Sequence, residues 1–359
     1  MSAPDLALAE GARVLVVRMG ALGDIVHALP LLAALRTHRP DVVVDWLVDA
    51  RYAGVLALVD GLRRRVVVRA ASAGVTPEEV RFAGVTGMAS AIAHLRAQGY
   101  EAALDLQGLI KSAAFARLSG ARRVIGFVRS QLREPAAGWL YGERVTGPAG
   151  GHVVEKNLAM LPALDVPSAG LVFPWRPVTS DVTAAVLASE PVVRAGGFAL
   201  MNPGAAWENK RWPPARFGAL AAQLGERLAL PSVVTWGPSE RARAEEVVAA
   251  SHGHAVASPP TALPDLLALA RAARLVVSGD TGPLHLAASV GAPIVGLFGP
   301  TRPERNGPWR ADDLSVSRAA TCECFHKRQC LRGRACIEEI AVEEVFAACA
   351  HRLQTRAAS

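Results

Sequence analysis

The stretch from residue 275 to residue 300, LVVSGDTGPLHLAASVGAPIVGLFGP, places an acid, a hydroxyl group and a histidine around the start of a predicted helix. Its first apolar run is typical of a buried parallel strand, and Asp280, Thr281 and Gly282 then supply turn and N-cap chemistry. Free N–H groups and the positive end of a helix dipole suit a diphosphate at that point. We expect Asp280 either to position a donor substrate that carries this diphosphate or to pair with Lys210. An ordinary strand–turn–helix connection has the same pattern, so the stretch alone leaves both interpretations open.

Polar side chains follow other predicted strand ends in the same half of the chain. Lys210 lies in WENKRWP, after the strand end NPGA, whose Gly204 and Ala205 allow a ligand to approach the backbone closely. A lysine there reaches a phosphate, although a solvated lysine in a polar loop is the ordinary alternative. Glu240 follows a similar turn and either holds a pair of ribose hydroxyls or begins a surface helix. His285 lies in the first turn of its helix, where a nearby diphosphate favours a functional role.

An acid also follows the first predicted strand, which covers residues 13–18. Gly23 and Asp24 lie in a turn of small residues between that strand and a helix, so the carboxylate is expected to face solvent. A general base needs such exposure, but an aspartate that caps the first turn of the helix is an equally ordinary explanation. His27, three residues later, either packs in the interior or pairs with the acid.

Four of the five cysteines form a late cluster around His326: Cys322, Cys324, Cys330 and Cys336. Four thiols in fifteen residues are able to bind zinc. The Cys-x-Cys opening and the two five-residue gaps are not a familiar pair of zinc knuckles. We therefore favour buried free thiols and expect no metal, with zinc left as the alternative.

Composition excludes several functional classes. The 359 residues are 51% hydrophobic and 20% charged, which indicates a folded globular protein and not a disordered one. A formal charge of +7 favours an anionic partner, but only 5% of residues are aromatic and no recognition motif occurs, so we expect no nucleic acid. Because neither a signal peptide nor an apolar run of membrane-spanning length is recognisable, we expect a cytoplasmic protein. Separately, we expect the protein to be a monomer.

Strand and helix patterns alternate in two series along the chain, which indicates an α/β protein with two doubly wound domains. We expect an N-terminal domain over residues 1–170, a C-terminal domain over 171–340, and a helix over 341–359 that packs back on the N-terminal domain. Tandem domains of this kind predict a ligand cleft between the facing carboxyl ends of their strands. The first helix is predicted to run from near Ile25 to Arg36, with Pro30 either tolerated in its first turns or bending it slightly. The glycine turn MGALGD lacks the G-x-G-x-x-G spacing, which makes a dinucleotide-dependent dehydrogenase a weak alternative.

Taken together, these motifs resemble the lipopolysaccharide heptosyltransferases of glycosyltransferase family 9, and heptosyltransferase I most. The resemblance runs through nearly the whole chain. It is carried by MGALGDIVHALP at residues 19–30, LDLQGLIKSA at 104–113, REP at 133–135, NPGA with NKRWP at 202–213, and SGDTGPLHLAA at 278–288. The chain departs from the family where Ala205 and Ala206 follow the NPG turn, since a hydroxyl-bearing residue is often found there.

The resemblance implies a GT-B fold, in which two Rossmann-like domains face a central cleft, and an inverting transfer without a cofactor. The implied donor is ADP-L-glycero-β-D-manno-heptose, bound mainly by the C-terminal domain. The implied acceptor is Kdo-lipid A, bound by the N-terminal domain at the inner face of the inner membrane. Asp24 matches the catalytic base, and Lys210 is expected to stabilise the departing diphosphate. The expected substrate-binding residues are Gly23, His27, Gly204, Ala205, Glu240, Asp280, Thr281, Gly282 and His285.

Two further hypotheses remain open. One is a heptosyltransferase II-like enzyme, or another family 9 transferase with a different donor or acceptor. The other is a noncatalytic protein that binds nucleotide sugars. A panel of donors distinguishes the first from heptosyltransferase I, and tight ADP binding without turnover on any acceptor would favour the second.

Overall fold

A computed structural model describes residues 7–84, 86–324, 327–330 and 332–357. The chain divides into two compact units, Met1–Arg176 and Pro177–Ser359, and each contains one sheet. The boundary lies a few residues after the one expected from the sequence, at the end of the segment from Pro167 to Pro177, in which prolines recur. Arg176 N donates to the Leu58 carbonyl at 2.8 Å, which keeps the end of this segment with the first unit.

The first unit is built on an eight-stranded sheet with the order β4-β5-β3-β2-β1-β6-β7-β8. Neighbouring strands are parallel except β4 and β5. The strands are β1 (Arg13–Val17), β2 (Val43–Asp49), β3 (Arg64–Ala70), β4 (Gly74–Val75), β5 (Glu79–Ala83), β6 (Ala102–Asp105), β7 (Arg123–Phe127) and β8 (Glu143–Val145). Strand order reverses between β1 and β6, and a doubly wound sheet forms a ligand crevice at the carboxyl ends of the strands on either side of such a reversal.

Short helices connect these strands. The α-helices are α1 (Leu22–Val26), α2 (Leu29–His38), α3 (Ala53–Ala57), α4 (Gly87–Arg96), α5 (Ile110–Leu118) and α6 (Val153–Leu158), and 3-10 turns occupy Ala50–Tyr52, Arg129–Gln131, Pro135–Leu140 and Leu161–Leu164. The single helix predicted from Ile25 to Arg36 is wrong, because the chain breaks between α1 and α2. Pro30 lies in the first turn of α2, where its missing N–H has no helical partner to lose.

In the described residues of the second unit, six parallel strands form a sheet in the order β11-β10-β9-β12-β13-β14. The strands are β9 (Ala199–Asn202), β10 (Ser232–Val234), β11 (Ala255–Ala257), β12 (Leu275–Gly279), β13 (Ile294–Phe298) and β14 (Leu314–Ser317). Strand order reverses between β9 and β12. Both strands are buried throughout, which explains their unbroken apolar runs in the sequence.

The α-helices of this unit are α7 (Asp181–Ala188), α8 (Glu190–Ala195), α9 (Pro214–Leu228), α10 (Arg241–Ala249), α11 (Leu263–Ala272), α12 (Gly282–Ser289), α13 (Pro303–Asn306) and α14 (Val342–Ala357). Glu208–Lys210, Ala319–Thr321 and Cys336–Glu339 are 3-10 turns. The two predicted doubly wound α/β folds are therefore confirmed.

The C-terminal helix α14 packs on the second unit, which corrects the expectation that residues 341–359 return to the first. Val345 and Cys349, one helical turn apart, are buried in the core that also contains Trp212 and Phe217. Arg352 fixes the end of the helix through its Nε, 2.9 Å from Asp313 Oδ1. Neither α14 nor any other helix in the described part of the chain is long and apolar enough to cross a membrane.

A buried carboxylate joins three segments at the carboxyl end of β6. Asp105 accepts hydrogen bonds from the Tyr141 hydroxyl at 2.7 Å, from the Ser112 hydroxyl at 2.9 Å and from the Gln107 amide at 2.9 Å. Burial raises the pKa of Asp105, and these hydrogen bonds oppose that rise. Asp105 thereby ties β6 to α5 and to the segment before β8.

Replacing Tyr141 by Phe tests this anchor. The change leaves the ring in place but deprives a buried carboxylate of one donor, so we expect unfolding in urea to require about 1–3 kcal/mol less. Tyr52→Phe is the control, because the Tyr52 hydroxyl makes no hydrogen bond to any residue that the structure describes. Equal stability of the two variants would contradict the role given to Asp105.

Candidate active site

The carboxyl ends of four adjacent strands come together in the second unit. The order β10-β9-β12-β13 places the segments after these strands along one edge of the sheet, with the reversal of strand order between β9 and β12. Each segment carries a polar residue: Asn202, Glu240, Asp280 and Thr301. This edge is where open α/β sheets bind ligands.

Asp280 is the centre of a buried polar network. Its Oδ2 lies 2.5 Å from the Lys210 Nζ and accepts a hydrogen bond of 2.6 Å from the Thr301 hydroxyl. Its Oδ1 lies 3.1 Å from the His285 Nε2. The Asp280 side chain is 3% exposed and that of Lys210 is 14% exposed. Of the two roles expected for Asp280, the structure shows the pairing with Lys210.

The electrostatics of this network keep Asp280 ionised. Burial acts to raise the pKa of its carboxyl, but the hydrogen bond with His285 and the positive charge of Lys210 hold that pKa well below its usual range. The carboxylate in turn holds the lysine ammonium at the strand ends, on a side chain that is not fully buried.

The segment that carries Lys210 packs closely against the end of β12. Lys210 Nζ lies 4.6 Å from the centroid of the Trp207 ring, a cation–π contact that further restricts the side chain. A Cβ at Gly279 would lie 2.8 Å from the Lys210 carbonyl oxygen, so this approach of two backbones requires glycine.

Asn202 joins the two strands at the reversal point. Its Nδ2 donates to the Gly204 carbonyl at 3.0 Å and to the Ser278 hydroxyl at 3.2 Å. Thr281 occupies the N-cap position of α12, and no side chain caps that helix. The first turn of α12, which begins at Gly282, is therefore available to an anion.

Glu240 lies against the backbone of the NPGA turn. A Cβ at Gly204 would lie 2.2 Å from the Glu240 Oε2, and the same oxygen accepts a hydrogen bond of 3.1 Å from the Gly237 amide. Ala205 is buried, and its carbonyl accepts a hydrogen bond of 2.7 Å from the Arg211 Nε. The expected donor-site residues Gly204, Ala205 and Glu240 thus lie together with the Asp280 network along one sheet edge.

In the first unit, Asp24 is clamped at the reversal point between β1 and β6. Its Oδ1 lies 2.7 Å from the Arg18 Nη2, and its Oδ2 accepts a hydrogen bond of 3.1 Å from the Ala21 amide. The N-cap residue of α1 is Ala21 and not Asp24, and Asp24 accepts the hydrogen bond of the Ala21 amide from the third helical position. Asp24 therefore caps the start of the helix from within its first turn. The side chain nevertheless remains 35% exposed, as a general base requires.

The turn before Asp24 is also fixed from outside. Met19 N donates to the Gln107 Oε1 at 2.7 Å, which ties the turn to the segment after β6. Gly20 has φ +155°, and a Cβ there would lie 2.4 Å from the Tyr52 ring. Only glycine fits this position, and Gly23 is itself buried in α1.

His27 does not have the exposure expected of a substrate-binding residue. The side chain is 2% exposed and its ring lies edge-on to that of His152, with 5.3 Å between the centroids. The His27 carbonyl accepts a hydrogen bond of 3.0 Å from the Asn157 Nδ2. His27 therefore packs in the interior of the first unit, because the break between α1 and α2 turns it inward.

The cysteine cluster forms a compact loop in the second unit. Cys324 and Cys336 are buried, and Cys324 Sγ lies 3.3 Å from Cys330 Sγ. Burial raises the pKa of Cys336 to about 12, which keeps that thiol neutral. Within the described ranges, no group of three or more His, Cys, Asp or Glu side chains is placed to hold a metal ion. His326 lies outside the described residues.

Two residues that contact the expected site residues were not predicted from the sequence. Arg18 ends the predicted first strand as a charged residue directly before a glycine turn, and that position was a usable signal. Thr301 follows the run VGLFGP, where its hydroxyl after a strand end was also visible. The sequence position of Arg18 or Thr301 does not predict its partner, because the contacts with Asp24 and Asp280 depend on the fold.

Comparisons with known proteins agree with this architecture. A family model described as Glycosyltransferase family 9 (heptosyltransferase) matches residues 88–335, more than half of the chain. Lipopolysaccharide heptosyltransferase 1 of Pseudomonas aeruginosa is 29% identical over 326 residues, which cover 89% of this chain and 87% of that protein.

Two solved structures share the fold. The E. coli heptosyltransferase WaaC with ADP has a TM-score of 0.68 at 21% identity, with 97% of this chain and 100% of that chain covered. A glycosyl transferase of family 9 from Veillonella parvula has a TM-score of 0.77 at 19% identity, with 97% and 99% covered.

Asp280→Asn tests the buried network. The amide keeps the shape but leaves the Lys210 ammonium without its counter-charge, so we expect a loss of about 3 kcal/mol in the free energy of unfolding at pH 7. Because the folded pKa of Asp280 lies below its ordinary value of 3.8, the stabilisation is complete above that pH and is lost as the pH falls further. Urea unfolding should therefore show the gap between wild type and variant narrowing below about pH 4.

Glu190→Gln is the matched control, since Glu190 forms an exposed ion pair with Arg194 on α8 in the same unit. Its removal should change the stability little at any pH. A gap for Asp280→Asn that is absent at pH 7, or that grows towards low pH, would contradict the charge state assigned to Asp280.

Proposed function

The chain belongs to glycosyltransferase family 9, the heptosyltransferases, and we propose that it transfers heptose from ADP-heptose to a Kdo-lipid A acceptor in lipopolysaccharide inner-core synthesis. The enzyme is a glycosyltransferase. The observation that carries the donor half of this proposal is Lys210, whose side chain is 14% exposed and whose ammonium is paired with buried Asp280 beside the uncapped start of α12. That arrangement suits a diphosphate leaving group.

The donor side is supported by chemistry and by a relative. An ADP diphosphate would be bound by Lys210 and by the amides of Thr281 and Gly282, while Glu240 would accept hydrogen bonds from ribose hydroxyls. The E. coli relative with a solved structure is described with ADP. Since Lys210 and the helix start supply the positive charge, we propose a transfer without a cofactor.

The acceptor side is supported by positive charge at the carboxyl edge of the first sheet. Burial and the guanidinium groups of Arg69 and Arg51 lower the pKa of Lys111, in spite of the opposing charge of Asp49. Cations gathered in this way suit an acceptor that carries Kdo carboxylates and lipid phosphates. Such an acceptor would bring the enzyme, acting as a monomer, to the cytoplasmic face of the inner membrane.

The proposed reaction is a single displacement. Asp24 takes the proton from an acceptor hydroxyl as that oxygen forms a bond to the anomeric carbon. The bond between that carbon and the β-phosphate oxygen breaks, and its electron pair leaves with ADP. Lys210 and the α12 amides stabilise the charge that develops on the diphosphate. The configuration at the anomeric carbon is inverted.

A turnover assay read by mass spectrometry tests the proposed substrates. ADP should appear, and the acceptor should gain one heptose residue, only when ADP-heptose and the Kdo acceptor are both present. Transfer from another nucleotide sugar in place of ADP-heptose would establish a different donor. ADP binding without transfer to any acceptor would establish a noncatalytic binding protein.

Asp24→Asn tests the proposed base. The amide can still accept the hydrogen bond from the Ala21 amide but cannot take a proton, so kcat should fall by about 10²–10⁴-fold. ADP affinity measured by calorimetry should stay unchanged, because the proposed nucleotide residues belong to the second unit. The control is Asp41→Asn, which alters the Arg39–Asp41 pair before β2, at the amino-terminal ends of the strands of the same sheet. Wild-type kcat in Asp24→Asn would refute the proposed base.

A further inference from the structure

Arg18 is a buried arginine that has no role in the proposed reaction as described above. It follows β1 directly, and its side chain is 8% exposed. The Nη2 atom contacts the Asp24 carboxylate at 2.7 Å, and the Nη1 atom donates to the Leu106 carbonyl after β6. The Nε atom is buried without a hydrogen-bond partner among the described residues. Burying a guanidinium with an unsatisfied donor is costly, which indicates that something other than stability retains it.

The contacts of Arg18 complete a clamp on both oxygens of Asp24. Arg18 contacts Oδ1 while the Ala21 amide contacts Oδ2, so the plane of the carboxylate is defined by two contacts from different segments. A carboxylate has about four lone-pair sites, and these contacts occupy two of them. The remaining sites lie on a side chain that is one-third exposed, where they can receive a proton.

Arg18 also ties this clamp to the sheet. The Leu106 amide donates to the Val17 carbonyl at 3.1 Å, so the carbonyl that receives the Arg18 Nη1 belongs to a residue held by the end of β1. The guanidinium therefore connects the Asp24 turn to both strands at the point where their order reverses. A residue with a single donor would not make both contacts in this geometry.

We propose that Arg18 is a positioning residue that fixes the Asp24 carboxylate for proton abstraction and offsets its negative charge toward an anionic acceptor. The proposal rests on the base role given to Asp24 under the proposed function. It assigns Arg18 no contact with substrate. It does explain why a buried cation adjoins the one exposed carboxylate at this turn, since an unpaired aspartate would repel an acceptor that carries carboxylates of its own.

The test compares Arg18→Met and Arg18→Lys with wild type by steady-state kinetics on ADP-heptose and a Kdo acceptor. Arg18→Met should lower kcat by about 100-fold, the cost expected for a misplaced catalytic group, while KM for the donor stays unchanged. Arg18→Lys keeps the charge but not the two contacts, so its kcat should lie between those of wild type and Arg18→Met. The control Arg39→Met breaks another Arg–Asp pair, in which the Arg39 Nη2 lies 2.8 Å from the Asp41 Oδ2 at the amino-terminal ends of the strands. It should keep wild-type kcat.

Chemical rescue separates positioning from a merely structural role. In Arg18→Ala, added methylguanidinium should restore part of the lost kcat, and it should have no effect on Asp24→Asn. Wild-type kcat in Arg18→Met or Arg18→Lys would overturn the proposal, as would a loss of kcat that accompanies unfolding and is not rescued. Asp24→Asn separates failure of the positioning role from failure of the base role. If Asp24→Asn is inactive and Arg18→Met is fully active, only the role of Arg18 is refuted. If Asp24→Asn is fully active, the base role of Asp24 is refuted.

Discussion

A buried carboxylate needs partners, and in the second unit that constraint organises the strand ends. Asp280 is satisfied by Lys210, His285 and Thr301, which come from the segments after β9, β12 and β13. Losing any one of them would leave an uncompensated polar group in a medium of low dielectric. The segments are therefore fixed relative to each other, and the lysine ammonium is held beside the start of α12 before any ligand binds. Such preorganisation is what electrostatic stabilisation of a leaving group requires.

The first unit also has an ion pair at its strand ends, but the other member of the pair is the more exposed one. Asp24 and Arg18 also meet where the strand order reverses, but there the cation is buried and the carboxylate is partly exposed. In the second unit the Asp280 side chain is 3% exposed, and the Lys210 side chain, at 14%, is the more exposed of the pair. The two units thus present opposite charges from equivalent positions in their sheets. One arrangement suits a base, and the other suits a diphosphate.

Local signals in the sequence were sufficient for much of this description. Apolar runs followed by small-residue turns located the strands, and they placed Asp24, Lys210 and Asp280 at strand ends. The sequence could not reveal that Arg18 pairs with Asp24 or that Thr301 donates to Asp280, since those contacts depend on how the segments pack in three dimensions. The inward turn of His27 depends on a helix break for which Pro30 gave a signal that was underestimated. The packing of α14 on its own unit depends on a stripe that includes Val345 and Cys349, which only the structure places against α9 and the sheet.

The central claim is that Asp24 activates an acceptor hydroxyl for direct attack on the anomeric carbon. The most direct measurement is the anomeric configuration of the transferred heptose, read by NMR from the product of the β-configured donor. A single displacement predicts an α-linked heptose. A β-linked product would show retention of configuration, and it would contradict a single displacement in which Asp24 activates the attacking hydroxyl.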